Sequence, residues 1–167
     1  MAGALIVTAE IAPPDFGWLE HLRRKHYPPE RNRLPVHLTM FHALPPSAET
    51  EARTRLADFA KRGPPNAMIE GLMDLGSGVA FRVVSQELDR IRRELAEIFH
   101  GLLGAPDTGD WRPHVTIQNK VPPKVARALK ESLEREFRPR PLAIRGLGLH
   151  RYLGGPWAPI ADYPFRG

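Results

Sequence analysis

The chain of 167 residues has no cysteine, which excludes disulfides, thiolate nucleophiles and cysteine-ligated zinc and is compatible with a reducing compartment. It also lacks a long apolar run. The stretch from Ala2 to Thr8 has no basic residue ahead of it and meets Glu10 at once, so it reads neither as a signal segment nor as a membrane span. A soluble, cytoplasmic protein with no membrane partner is the expectation. Several chemical signatures are missing as well: no Gly-x-Ser-x-Gly elbow, no His-Glu-x-x-His, no phosphate-cradling P-loop, no dinucleotide glycine pattern and no Lys-centred nucleotidyl-transfer motif. Triad hydrolysis has no candidate nucleophile. No cofactor and no ATP requirement are expected.

What is present is a short stretch that occurs twice. His37-Leu38-Thr39-Met40 and His114-Val115-Thr116-Ile117 each follow a proline within two residues, and each leads into a Pro-Pro pair, Pro45-Pro46 and Pro122-Pro123, at the same offset of 77 (37 to 114). Further along, Ile69-Glu70-Gly71-Leu72 matches Ile144-Arg145-Gly146-Leu147 at an offset of 75 (69 to 144). An internal duplication explains the matches. In a strand, residues two apart share a face, so each His lies beside its Thr while Val36, Leu38 and Met40, or Val115 and Ile117, point the other way.

The elements around the motifs follow one order. Ala4 to Ala9 is β-rich, Pro13-Pro14 opens a helix with Trp18, Leu19 and Leu22 on its apolar stripe, and Val36 to Leu44 is the first motif strand. Ser47 is a candidate N-cap for a helix carrying Ala52, Leu56 and Phe59, and Ala67 to Leu75 reads as a strand. In the second half, Val79 to Val84 is a strand and Ser85 caps a helix with Leu88, Ile91, Leu95, Ile98, Phe99 and Leu102 on one side. The second motif strand comes after Trp111, and a last helix turns Val125, Leu129, Leu133 and Phe137 inward. Leu142 to Tyr152 and Trp157 to Ala161 are closing strands. Each half therefore reads strand, helix, motif strand, helix, strand. The prediction is an α+β fold of one domain over 1–167, with lobe-forming repeats at about 1–77 and 78–167, a pseudo-two-fold, and a cleft between the motif strands.

Two histidines at equivalent places suit acid-base chemistry, because imidazole titrates near neutrality and a symmetric pair can divide the roles of base and acid. The adjacent Thr hydroxyls can donate to the non-bridging oxygens of a phosphate held between them. In-line displacement at phosphorus needs that arrangement. A metal site built on His37, His114 and His42 would lack accompanying carboxylates, so no metal is expected. The formal charge of +5 and pI near 10 favour anionic partners, and Arg23, Arg24, Lys25, Arg31 and Arg33 cluster just ahead of the first motif.

These two motifs resemble the signatures of the 2H phosphoesterase superfamily, which includes the bacterial 2'-5' RNA ligase or RNA 2',3'-cyclic phosphodiesterase family. The resemblance runs through nearly the whole order of elements. It implies a bilobal fold with antiparallel sheets lining a central cleft, His37 and His114 as general base and acid, and Thr39 and Thr116 as phosphate ligands. It further implies opening of 2',3'-cyclic phosphates on RNA ends or small nucleotides, commonly leaving a 2'-phosphate, with a weak ATP-independent 2'-5' ligation in reverse. No obligate protein partner is implied. Many RNA-ligase-type members follow the second motif with a small residue and an arginine, where this chain has Gln118-Asn119-Lys120; Lys120 is the candidate replacement.

Other residues are candidates for substrate contact. Phe41 and Gln118, two beyond each Thr, continue the site faces and could line the cleft floor, although Phe41 equally suits the core. Arg112, two before His114, could reach phosphate or sit in solvent at the strand end. Tyr27, His42, Trp111 and Tyr152 could stack a base or serve in packing.

Overall fold

The computed structural model describes residues 3–167. In chain order the elements are β1 (Leu5–Ile11), α1 (Pro13–His26), β2 (Leu38–Leu44), α2 (Glu49–Phe59), β3 (Met68–Asp74), β4 (Val79–Val84), α3 (Gln86–Ile98), β5 (His114–Gln118), α4 (Pro123–Glu136), β6 (Arg140–Pro141), β7 (Ile144–Tyr152) and β8 (Trp157–Pro164). They build two antiparallel four-stranded sheets, ordered β2-β1-β7-β8 and β5-β4-β3-β6. The fold is α+β and bilobal.

The repeats at about 1–77 and 78–167 do not each build one sheet, which corrects the expectation of one lobe per repeat. Strand β3 from the first half pairs with β4, and β7 and β8 from the second half complete the sheet begun by β1 and β2. Two helices cross over as well. Trp18 of α1 meets Phe81 of β4 edge-on at 5.4 Å, and Phe137, at the end of α4, lies 5.9 Å from the same ring. In exchange, α3 reaches β2: Phe99 packs on Phe41 at 6.1 Å and Arg92 Nε donates to the Met40 carbonyl at 2.7 Å. Each sheet is thus backed by a helix that follows a strand of the other.

Period-two alternation explains which face of each sheet is covered. Leu5, Val7, Ala9, Leu38, Met40, Leu147 and Leu149 point to the helical layer and are buried. Each such large aliphatic side chain is worth roughly 1.5–3 kcal/mol in apolar area removed from water. The opposite face carries Thr8, Glu10, Thr39 and His150 and is left for the cleft.

Several local expectations change. The first motif strand starts at Leu38, leaving Val36 and His37 just ahead of it. Ser47 is not the cap of α2, because Pro46–Ala48 form a 3-10 turn and Ala48 takes the N-cap position without a side-chain bond. Ser85 does cap α3, accepting from Leu88 N at 3.1 Å. Leu102 lies beyond α3, and Val125 faces outward on α4; both are exposed. Ala126 takes the inward position instead.

The turn between β3 and β4 is docked under the end of β5. Ser77 O accepts from Val121 N at 3.0 Å, and Ser77 Oγ donates to Asn119 Oδ1 at 2.9 Å. A Cβ on Gly78 would lie 2.0 Å from the Gln118 carbonyl oxygen, a backbone atom that cannot swing aside. Gly78→Ala is therefore expected to lower stability by about 1–3 kcal/mol in urea denaturation. An unchanged midpoint would show that the turn relaxes freely.

Candidate active site

The two motif histidines are held by the same local device. His37 Nδ1 bonds the Pro35 carbonyl at 2.8 Å, and His114 Nδ1 bonds the Arg112 carbonyl at 2.8 Å, each two residues back. A carbonyl only accepts, so Nδ1 carries the hydrogen in both rings. Each Nε2 is then the atom that gains or loses a proton. The rings lie near enough for the charge of His114 to act on His37.

Register sets Thr39 and Thr116 beside the histidines and decides where the polar stripe ends. Thr8 pairs with Thr39 while Val7 pairs with Phe41, so Met40 is the extra residue of a bulge. Ala80 pairs with Thr116 while Val79 pairs with Gln118, so Ile117 is its counterpart in β5. A bulge shifts the alternation by one residue, so the polar stripe stops at each Thr. That shift decides between the two readings of Phe41 and corrects the one given for Gln118. Phe41 is fully buried, with the Arg92 guanidinium 4.1 Å from its ring centroid, and Gln118 is 3% exposed; neither lines the cleft floor.

Cross-lobe contacts fix the two motif strands, which are the facing edges of the sheets. Arg23 of α1 is 4% exposed; its Nη1 donates to the Thr116 carbonyl at 3.0 Å, its Nε to Asn32 Oδ1 at 2.9 Å, and it lies 4.3 Å over the Tyr27 ring. Conversely, Trp111 Nε1 donates to the Thr39 carbonyl at 3.1 Å. Tyr27 and Trp111 are therefore packing partners of the edge ties, and His42 is bound to Asp107 at 3.0 Å. Arg112 is exposed beside His114. Lys120 is also exposed and adopts φ 62°, its amide capped by Asn119 Oδ1 at 2.9 Å, so it is a turn residue. Tyr152 pairs with Trp157, which places it on the cleft face of its sheet at the far end of β7.

Four residues not anticipated complete the surroundings of His37. Its ring meets Trp157 at 4.7 Å and 60°, and the His150 ring lies 5.4 Å from the same indole. His150 Nε2 bonds Thr8 Oγ1 at 3.0 Å, with Glu10 Oε1 at 3.9 Å. A Cβ on Gly148 would lie 2.3 Å from Glu10 Oε1 and 2.7 Å from Thr8 Oγ1. The alternation Gly146-Leu147-Gly148-Leu149-His150 carries that signal in the sequence: one face is stripped of side chains where neighbours lie across it. Across the cleft, Arg82 pairs with His114 and so shares its face.

Burial, followed by the charges of Arg23, His114 and His150, pushes His37 down to about 4 against the pull of its Pro35 hydrogen bond. Burial also lowers His150, and burial with the neighbouring Asp162 raises Glu10 to about 7. His37 is thus neutral at pH 7. An unfolded histidine titrates near 6.5, so stability is complete above that pH and falls as pH drops through 6.5 towards 4. A bound anion reverses the local potential. In NMR titrations the His37 ring is expected to titrate near 4, and saturating sulfate, which does not itself titrate there, to raise it by about one unit or more. No shift with sulfate would mean that the anion sits elsewhere.

A sequence model of the 2'-5' RNA ligase superfamily matches residues 11–156, which includes both histidine motifs. The chain belongs to that superfamily. Solved structures agree on the fold: TT0787 of Thermus thermophilus at 17% identity, 98% coverage of each chain and TM-score 0.68, and a phosphoesterase at 18%, 100% and 0.63. E. coli LigT complexed with NADP+ matches at 19% identity over 100% of each chain, with TM-score 0.61. No curated protein matches the chain. The two-sheet cleft with duplicated His-x-Thr strands is the 2H phosphoesterase arrangement within the 2'-5' RNA ligase superfamily. Among the described residues, no cluster of three or more His, Asp or Glu side chains is placed to hold a metal, and no helix is long and apolar enough to cross a membrane.

Proposed function

We propose that this protein is a phosphodiesterase that opens 2',3'-cyclic phosphates, at RNA ends or on small nucleotides, with His37 and His114 as the acid-base pair. The observation that carries this reading is the matched pair of Nδ1 to carbonyl hydrogen bonds, which leaves both Nε2 atoms for proton transfer. One imidazole takes a proton from water and the other gives one to the leaving oxygen. Thr39 and Thr116 donate to the non-bridging oxygens, whose charge grows in the transition state. Arg82, beside His114, adds positive potential on the second lobe. E. coli LigT has been solved with 3'-AMP and with phosphate, which supports a nucleotide as ligand here. Reversal of the step, with a 5'-hydroxyl in place of water, is the 2'-5' ligation that the superfamily name denotes.

The test is incubation of EDTA-treated protein with the four nucleoside 2',3'-cyclic monophosphates and a short RNA ending in a cyclic phosphate. Ring opening is expected without added metal. Retention of RNA with no turnover on any substrate would overturn the enzymatic reading in favour of a binding module.

A further inference from the structure

Two buried arginines, Arg23 of α1 at 4% exposure and Arg92 of α3 at 7%, bond only neutral oxygens. Arg23 donates to the Thr116 carbonyl at 3.0 Å and to Asn32 Oδ1 at 2.9 Å; Arg92 donates to the Met40 carbonyl at 2.7 Å and to the Asp107 carbonyl at 2.9 Å. Each also lies over a ring, Tyr27 at 4.3 Å and Phe41 at 4.1 Å. The acceptors share a pattern. Asn32 precedes the first motif and Thr116 is in the second, whereas Asp107 precedes the second motif and Met40 is in the first. Each guanidinium therefore joins the approach to its own repeat's motif to the motif strand of the other repeat. The two arginines are 69 residues apart (23 to 92) rather than 77, so the duplicated motifs do not reveal them.

Strands β2 and β5 each end a sheet, and no backbone ladder links the two sheets. The gap between the motif strands is left to side chains. A guanidinium is a costly residue to bury, because it loses its water for a few bonds, and an apolar side chain of similar volume often packs as well. What it supplies instead is direction, through a rigid planar fork that holds two acceptors at fixed angles. We propose that Arg23 and Arg92 are a matched pair of positioning residues that set how far apart the two motif strands stand. The inference rests on the phosphodiesterase reading above. In-line displacement needs both imidazoles at the phosphate together, so a shift of about 1 Å in that gap lowers the rate about a hundredfold although neither arginine reaches the substrate.

The experiment joins kinetics on a nucleoside 2',3'-cyclic phosphate to a distance measurement that needs no substrate. Arg23→Met and Arg92→Met keep much of the packed volume and remove the fork. Arg23→Lys and Arg92→Lys keep the charge, including the charge of Arg23 that acts on His37. Asn32→Ala removes one bond of Arg23 from a half-buried loop position and leaves the core intact. The chain has no cysteine, so spin labels introduced through Leu153→Cys and Val84→Cys, exposed beside the first sheet and on the second, report the spacing of the lobes. Each arginine variant is expected to lower kcat about 10²-fold with KM nearly unchanged, and to lengthen or broaden the spin-spin distance. Asn32→Ala is expected to move both in the same direction by less. Should a methionine variant unfold, the lysine and Asn32→Ala proteins are read in the same way. Folded variants with the wild-type distance distribution would overturn the proposal, as would a changed distance with unchanged kcat. A lower urea midpoint with distance and kcat retained would make the arginines purely structural and overturn it too. If even the wild type opens no ring, the phosphodiesterase reading fails, while the spin labels still decide whether the arginines set the gap.

Discussion

His37→Ala and His114→Ala are each expected to lower kcat for ring opening by about 10²–10⁴-fold, the range by which a positioned general acid or base accelerates a proton transfer. The structure makes the losses comparable, because the two rings are anchored by equivalent bonds of 2.8 Å to the carbonyl two residues back. KM should change far less, since Thr39, Thr116 and the nearby arginines, the substrate contacts of the proposed reading, are retained. The double variant should lose little more than either single one, because a base without its acid no longer completes the displacement. Circular dichroism and urea midpoints are expected to remain close to wild type, both rings being only partly buried. Rate against pH should be bell-shaped in the wild type and should lose one limb in each variant. A variant of either histidine that turns over at the wild-type rate would falsify the pairing.

Asp107→Ala carries the largest expected loss of stability, about 3–5 kcal/mol, although the residue lies outside the motifs. Its carboxylate is 1% exposed and holds the bulged edge of β2: Oδ1 accepts from His42 N at 2.7 Å and His42 Nδ1 at 3.0 Å, and Oδ2 from Ala43 N at 2.9 Å. Its carbonyl also accepts from Arg92 Nη2 at 2.9 Å. Removing the carboxylate strands two backbone donors and takes the nearest negative charge from Arg92, which is 7% exposed. Burial alone would raise the Asp107 pKa, but the hydrogen bonds from His42 and Ala43 outweigh it and hold the carboxyl below its ordinary range. A depressed folded pKa means that this stability is complete above the unfolded value near 3.9 and is lost as pH falls below it. Urea denaturation of Asp107→Ala and Asp107→Asn at pH 7 measures the effect, with the amide expected to retain part of it. A loss under 1 kcal/mol for the alanine variant would show that the edge is held by Arg92 and Trp111 alone.

The candidate site was legible where local rules act alone. His37, Thr39, His114 and Thr116 were readable because a strand's period of two and a proline-flanked repeat are properties of contiguous residues. Gln118 was misplaced, and Phe41 left open between cleft and core, for a reason that is equally physical. Each lies just past a bulge, and a bulge forms only when a neighbouring strand sets the register, as β1 and β4 do here. Val125 and Leu102 failed similarly, since helical periodicity gives a stripe but not where its partner surface ends.

By itself the sequence determined the order of elements, their duplication, the polar stripe of each motif strand and, through absent cysteine and absent nucleotide-binding signatures, the kinds of chemistry left open. Only the tertiary structure decided which sheet each strand joins, the exchange of α1 and α3 between lobes, and the neighbours of His37. Thr8 and His150 stand 142 residues apart in the chain and 3.0 Å apart in space. Contacts of that kind depend on how two sheets pair and face each other, a choice made by burying all their apolar faces together rather than by any one segment.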